Sequence, residues 1–154
     1  KNKEYDPISD RTWEAVSETI EPGESTMNAL KRGFHEECGD ENFKPLRILG
    51  QTDHTWSTGK YIDTVSDIQE CHKPFCFTQN LAIPQPWTGP CFVVEVLADW
   101  EPRYDKADGE AGSHKWWDAY DLKKELKNNP GNFHCADYAA FCLLAEAVVT
   151  DTLS

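Results

Sequence analysis

Apolar side chains recur at spacings of three and four from Met27 through Leu30 and Phe34 to Cys38, the period of one helical face. Ser25 stands where an N-cap hydroxyl can accept from the first free amides, and Gly39 stands at the usual C-terminal stop, so the pattern predicts a helix from Ser25 to Cys38. Asp121 to Leu126 reads as a short helix halted before Pro130, and Ala136 to Val149 as a longer one, rich in Ala and Leu and apolar on most sides. Leu46 to Gly50, Phe75 to Leu81 and Cys91 to Leu97 combine β-branched, aromatic and aliphatic residues between Pro, Gly or Asp boundaries, which is strand patterning. Ser113 to Ala119 is read as a further strand. Gly59 to Glu70 and Pro102 to Gly112 are polar and read as excursions from the core. Strands interleaved with helices predict an α/β or α+β sandwich. No repeat, low-complexity tract or linker divides the chain, so a single domain over residues 1–154 is expected.

Composition supports a packed domain. A chain of 154 residues can bury roughly 68–70% of its unfolded surface without metal or disulfide staples. Hydrophobic residues make up 39% and aromatics 12%, including six Trp, which separates the chain from compositionally disordered ones. The 15 Lys and Arg against 27 Asp and Glu give a formal charge of -12, which repels a polyphosphate backbone, so nonspecific nucleic-acid binding is not expected. An acidic surface is compatible with a site that uses Mg²⁺ or Mn²⁺ to draw in an anion, and equally with ordinary solvation. Cys38, Cys71, Cys76, Cys91, Cys135 and Cys142 show no CxxC spacing and are read mostly as free core thiols. Cys71 to Cys76 resembles half a zinc site without a second half. No apolar run approaches a membrane span and no signal peptide is visible, so a cytoplasmic protein with no membrane partner is expected. The chain begins with Lys, which leaves a removed leader or upstream segment open.

The candidate chemistry lies on the first helix. Glu36 and Glu37 sit near its end, Glu24 just before its start and Arg32 between them. Positions 32, 33, 36 and 37 fall on one side of the helix, away from the Met27 and Phe34 face with Glu37 at the border, where solvent or a ligand can reach them. Adjacent carboxylates repel, and either Arg32 or a divalent cation relieves that repulsion. A solvated acidic face is the bland alternative for any Glu-Glu pair.

The whole run Ile20-Glu21-Pro22-Gly23-Glu24, Ala29, Arg32, Glu36-Glu37 and Gly39 resembles the Nudix box, GX5EX7REUXEEXGU with U a bulky apolar residue. Six of the nine defined positions are met, by Glu24, Arg32, Phe34, Glu36, Glu37 and Gly39, within a box of 23 residues from Glu18 to Asp40. A weaker likeness continues to Glu110, Trp116-Trp117 and Asp121-Leu122, similar to the late acidic residue, Trp-bearing strand and helix start common in the family. Three positions depart: Glu18 replaces the first glycine, Gly33 the glutamate after the arginine, and Asp40 the closing apolar residue. Gly33 matters most, because the family's carboxylate there is usually a metal ligand or helps activate water. A glycine inside a helix also costs about 1 kcal/mol relative to alanine, which points to relaxed catalytic demand or to a need for space.

The resemblance implies a Nudix-type α/β/α sandwich with a mixed β-sheet, its N-terminal part shortened because few residues precede the box. It implies that Glu36 and Glu37 bind Mg²⁺ or Mn²⁺ and that Glu24 accepts a salt bridge from Arg32. Glu110 is the candidate additional ligand or general base, with Asp105 and Asp108 as alternatives. The implied chemistry is attack of water on a diphosphate linkage in a nucleoside diphosphate joined to another group, at reduced activity because of Gly33. A non-catalytic Nudix-fold module that recognises a nucleotide or a partner protein is the alternative, and the reading admits a homodimer. Trp56 and Trp87, in polar or Pro-Gly contexts, are the preferred residues for stacking a substrate, ahead of Trp13 and Trp100. His54 and His114 are weaker candidates, since a lone His more often satisfies a local hydrogen bond. Substrate identity is not encoded in any spacing rule.

Overall fold

The computed structural model describes residues 12–39, 47–49, 54–62, 65–71, 74–81, 87–96, 98–107 and 112–153. The side chains of 47–49, 54–62, 65–71, 80 and 87 lie outside that description. Along the chain run α1 (Thr26–Cys38), β1 (Arg47–Leu49), β2 (His54–Ile62), β3 (Val65–Cys71), β4 (Cys76–Asn80), β5 (Trp87–Cys91), β6 (Val93–Glu95), α2 (Ala119–Asn128), a 3-10 turn (Pro130–Asn132) and α3 (Tyr138–Val149). Helices and antiparallel strands are therefore mixed in one chain.

The strands pair antiparallel as β1 with β6, β2 with β3 and β4 with β5. Arg47 stands opposite Glu95, His54 opposite Cys71 and Cys76 opposite Cys91. A single parallel bridge joins Trp13 to Phe133. The expectation of a shortened N-terminal sheet falls largely on residues 1–11, outside the described ones.

Three sequence expectations change. Residues 59–62 and 65–70, read as part of a polar excursion, belong to the paired strands β2 and β3, where Tyr61, Ile62, Val65 and Ile68 supply strand-favouring side chains. The run Cys91 to Leu97 is interrupted at Phe92, so Cys91 ends β5 and Val93 begins β6. The strand β5, Trp-Thr-Gly-Pro-Cys, contains a Pro that cannot donate to a ladder and is tolerated in a two-stranded pair. Ser113 to Ala119 is not a strand: residues 112–118 run as irregular chain into α2, which starts two residues before the expected Asp121 because Asp118 caps it. Asp118 Oδ1 accepts from the Tyr120 and Asp121 amides at 2.9 and 3.4 Å.

Among the described residues, the core cluster lies at the C-terminal end. Leu126, Phe133 and Ala145 form a buried nucleus, with Trp13, Trp117, Leu122, Tyr138, Phe141 and Cys142 packed around it. Phe133 meets Phe141 edge-on at 5.8 Å between centroids, and Trp13 meets Trp117 edge-on at 6.2 Å. Tyr138 closes the seam between the two helices by donating its hydroxyl to the Leu126 carbonyl at 3.1 Å.

Candidate functional site

The helix α1 forms as its sequence demands. Ser25 accepts from the Asn28 amide at 3.1 Å, and Gly39 takes the left-handed conformation at φ 66° while its amide bonds His35 O. A side chain at 39 would collide with the Arg103 carbonyl, 2.0 Å from an ideal Cβ, so only glycine allows the Arg103 amide to reach Cys38 O at 2.6 Å. Ahead of the helix, Pro22 and Gly23 occupy the centre of a turn with Gly23 at φ 82°, closed by the Glu24 amide on Glu21 O at 2.9 Å. This turn delivers Glu24 to Arg32.

Glu24 and Arg32 make the salt bridge that the box resemblance implies. Arg32 Nε donates to Glu24 Oε1 at 3.1 Å and Nη2 to Oε2 at 2.9 Å, a two-point contact that fixes both planes. Glu24 Oε2 also accepts from the Glu21 amide at 3.0 Å. Hydrogen bonds from the Arg32 side chain, then from the Glu21 backbone, hold the Glu24 carboxyl below its usual range, and the same pairing raises Arg32 further above its own.

Glu36 lies beside Arg32 on the helix itself, whereas Glu37 reaches the chain that precedes it. Glu36 Oε1 stands 3.9 Å from Arg32 Nη1, one turn back, and its side chain is 41% exposed. Glu37 Oε1 accepts from the Ser17 amide at 3.2 Å.

The side of the helix expected to face solvent is partly covered. Ala29, Gly33 and Cys38 are its buried residues, whereas Met27, Leu30 and Phe34 are only half-buried. The cover is the extended segment from Trp13 to Thr19, anchored at alternate residues. Trp13 exchanges backbone bonds with Asn132 and His134, the Ala15 amide reaches Asp137 Oδ2 at 3.1 Å, Ser17 reaches Glu37, and Thr19 O accepts from Arg32 Nη2 at 2.7 Å. With the odd residues so engaged, Val16 and Glu18 share the face against the helix. An ideal Cβ at Gly33 would lie 3.2 Å from Glu18 Cβ and 3.3 Å from Val16 Cγ1. The glycine therefore makes room for a crossing segment.

Glu18 joins the site by this route. Its Oε1 lies 2.8 Å from Arg32 Nη1, so Arg32 is gripped by carboxylates from both sides of the loop. Sequence reading marked Glu18 only as a departure; the signal that could have found it was the paired exchange, Glu for Gly at 18 and Gly for Glu at 33.

Other expected residues are scattered. Glu110 and Asp108 lie outside the described residues, as do the side chains of Trp56, Trp87 and His54. Asp105 pairs with Arg103 at 3.8 Å on the surface. His114 Nε2 meets Glu101 Oε2 at 2.6 Å, a local contact. Glu101 Oε1 also accepts from Trp116 Nε1 at 2.9 Å, and Trp116 leads through Trp100 to Phe34 on α1 by edge-on contacts of 6.1 Å each. This aromatic chain beside the box was not foreseen, because it assembles residues far apart in sequence. Trp13 belongs to the C-terminal core. Trp117 does too, with Lys115 Nζ over its ring at 3.3 Å. A shallow cavity of about 290 Å³ between Lys115, Trp117, Asp121 and Lys124 contains none of the box residues.

Cys38, Cys76, Cys91, Cys135 and Cys142 are free thiols; Cys38 is buried and Cys135 exposed, which departs from a core position. Burial and the neighbouring Cys91 push the Cys76 thiol up to about 11, which keeps it protonated at neutral pH. Among the described residues no three His, Cys, Asp or Glu side chains are grouped as a metal would need, and no helix is long and apolar enough to cross a membrane. Comparison of the chain with family models, with characterised proteins and with solved structures yields no match.

Proposed function

We propose that the chain is a metal-dependent hydrolase acting on the diphosphate linkage of a nucleoside diphosphate joined to another group, with activity lowered by the glycine at 33. The observation that carries this reading is the two-point Glu24–Arg32 contact, which ties the Pro22-Gly23 turn to the helix that bears Glu36 and Glu37. An arbitrary acidic helix has no reason to build a buttressed loop of this kind.

The donor set suits a hard cation. Two carboxylates leave most of a six-coordinate Mg²⁺ or Mn²⁺ shell for water and substrate phosphate, the usual division for Mg²⁺. Glu36 and Glu37 would hold that cation, which when bound supplies neutralisation of charge on the phosphoryl oxygens. Arg32 and Glu24 keep the loop fixed against the helix, and Ser17 orients Glu37 through its amide. Glu110, outside the described residues, is assigned the additional ligand or general base.

The glycine at 33, where the box has a glutamate, favours a second reading, a non-catalytic module that binds a nucleotide or a partner protein. A diphosphate panel incubated with Mn²⁺ or Mg²⁺ separates the two. The hydrolase releases a phosphate-containing product, and Glu37→Gln lowers that release by at least about 100-fold. Release unaffected by Glu37→Gln would refute the site, and metal-independent nucleotide binding without turnover would favour the module.

A further inference from the structure

We propose that Glu18 is a positioning residue of this site: its carboxylate occupies Arg32 and so keeps that guanidinium off Glu36, and Gly33 is glycine because the Glu18 side chain passes over it. The proposal rests on the reading of Glu36 and Glu37 as cation ligands and adds a residue to it.

The geometry begins at the helix surface. Glu18 Cβ and Cγ would lie 3.2 and 3.7 Å from a Cβ at position 33, so the Glu18 stem runs across the one place in that turn where the helix offers no side chain. Along this path the carboxylate arrives at Arg32 Nη1, 2.8 Å away, in a partly sheltered contact with side-chain exposures of 28% and 22%. Nε and Nη2 donate to Glu24, and Nη2 also to Thr19 O, so the guanidinium plane is fixed at three points and its second Nη1 hydrogen is left on the side of Glu36.

Glu36 competes for the same Nη1. It lies four residues after Arg32, the spacing at which helical ion pairs form of their own accord, yet its Oε1 stays at 3.9 Å. The shorter Glu18 contact outweighs it, since charge-assisted hydrogen bonds weaken quickly beyond about 3 Å. Remove the Glu18 charge and Nη1 turns to Glu36. A cation must then displace a guanidinium before it can bind that carboxylate, and its affinity falls. The two departures at 18 and 33 are thus one steric and electrostatic exchange.

The test is Mn²⁺ binding to the whole chain, with Mn²⁺ alone as the probe, followed by calorimetry or by the loss of the free-ion paramagnetic signal. Glu18→Ala should weaken Mn²⁺ binding about 10-fold or more, the usual effect of removing a group that orients a ligand. Glu18→Gln keeps the packing on Gly33 and should weaken binding in the same direction by a smaller factor, which covers the case that the alanine variant fails to fold. Because the effect runs through Arg32, Glu18→Gln should change nothing in an Arg32→Ala background. Wild-type affinity in Glu18→Gln, or an equal loss with and without Arg32, would overturn the proposal. If wild-type chain binds no Mn²⁺, or binds it as well after Glu37→Gln, the cation reading itself fails. That result is distinct from a Glu37-dependent site indifferent to Glu18.

Discussion

Glu24 shows how much of the site a single side chain carries. Its carboxyl is held low by Arg32 and then by the Glu21 amide, so the folded state binds its proton less readily than the unfolded chain. The stability this contributes is fully present above the unfolded value of about 4.3 and is lost as pH falls through the lowered folded value. Glu24→Gln should therefore melt at a lower temperature than the wild type at pH 7, with the gap closing as the solution is taken below about pH 4. A gap that stays constant with pH would mean that the ionic contact contributes nothing. Gly39 makes a sharper case. Its φ of 66° and the Arg103 carbonyl 2.0 Å from a hypothetical Cβ leave no space for alanine. Denaturant melts of Gly39→Ala should show a loss of at least about 2 kcal/mol, combining left-handed strain with a steric clash. A loss under about 0.5 kcal/mol would place residues 103–107 away from the helix end.

At the scale of elements, α1 was legible and its surroundings were not. Ser25, Gly39 and the three-four spacing specify a helix through local hydrogen bonding and periodicity, signals contained within a few residues. Which face is covered depends on residues 13–19, whose extended path is set by partners at 132, 134 and 137. No local pattern encodes that, so of the face expected at Met27, Leu30, Phe34 and Cys38 only Cys38 is buried, and Ala29 and Gly33 are the helix's other buried residues. Ser113 to Ala119 failed similarly: its aromatic content suits a strand, but Trp116 and Trp117 are engaged by Glu101 and by the C-terminal core. The crossing at Gly33 is open to a direct check. Gly33→Ala gains about 1 kcal/mol of helix propensity and meets two side-chain atoms at 3.2 and 3.3 Å. Overpacking of this kind costs about 1–3 kcal/mol. The variant should be no more stable than the wild type, and a gain of the full propensity difference in a urea melt would show that nothing crosses there.

Among the described residues, the strap from Trp13 to Thr19 joins the C-terminal helices to the box. Trp13 sits in the core formed by Leu126, Phe133 and Ala145, and six residues later Thr19 accepts from Arg32. Leu126, 2% exposed, holds the centre of that core. Leu126→Ala should cost about 2–5 kcal/mol, and because the strap begins there, proteolysis between residues 13 and 19 should accelerate with it. Cleavage at the wild-type rate in a clearly destabilised variant would uncouple strap from core. The Glu24–Arg32 contact was legible in the sequence, because a spaced motif preserves its own geometry. Glu18 and the Trp100–Trp116 chain were not, because they depend on how distant segments meet.

The central claim is that Glu36 and Glu37 share a divalent cation. Crystals soaked in Mn²⁺ and measured at an anomalous wavelength test it directly. The account predicts a peak about 2.0–2.3 Å from a carboxylate oxygen of each residue. A clean soak that leaves both carboxylates without metal while Mn²⁺ occupies other acids of the chain would contradict it.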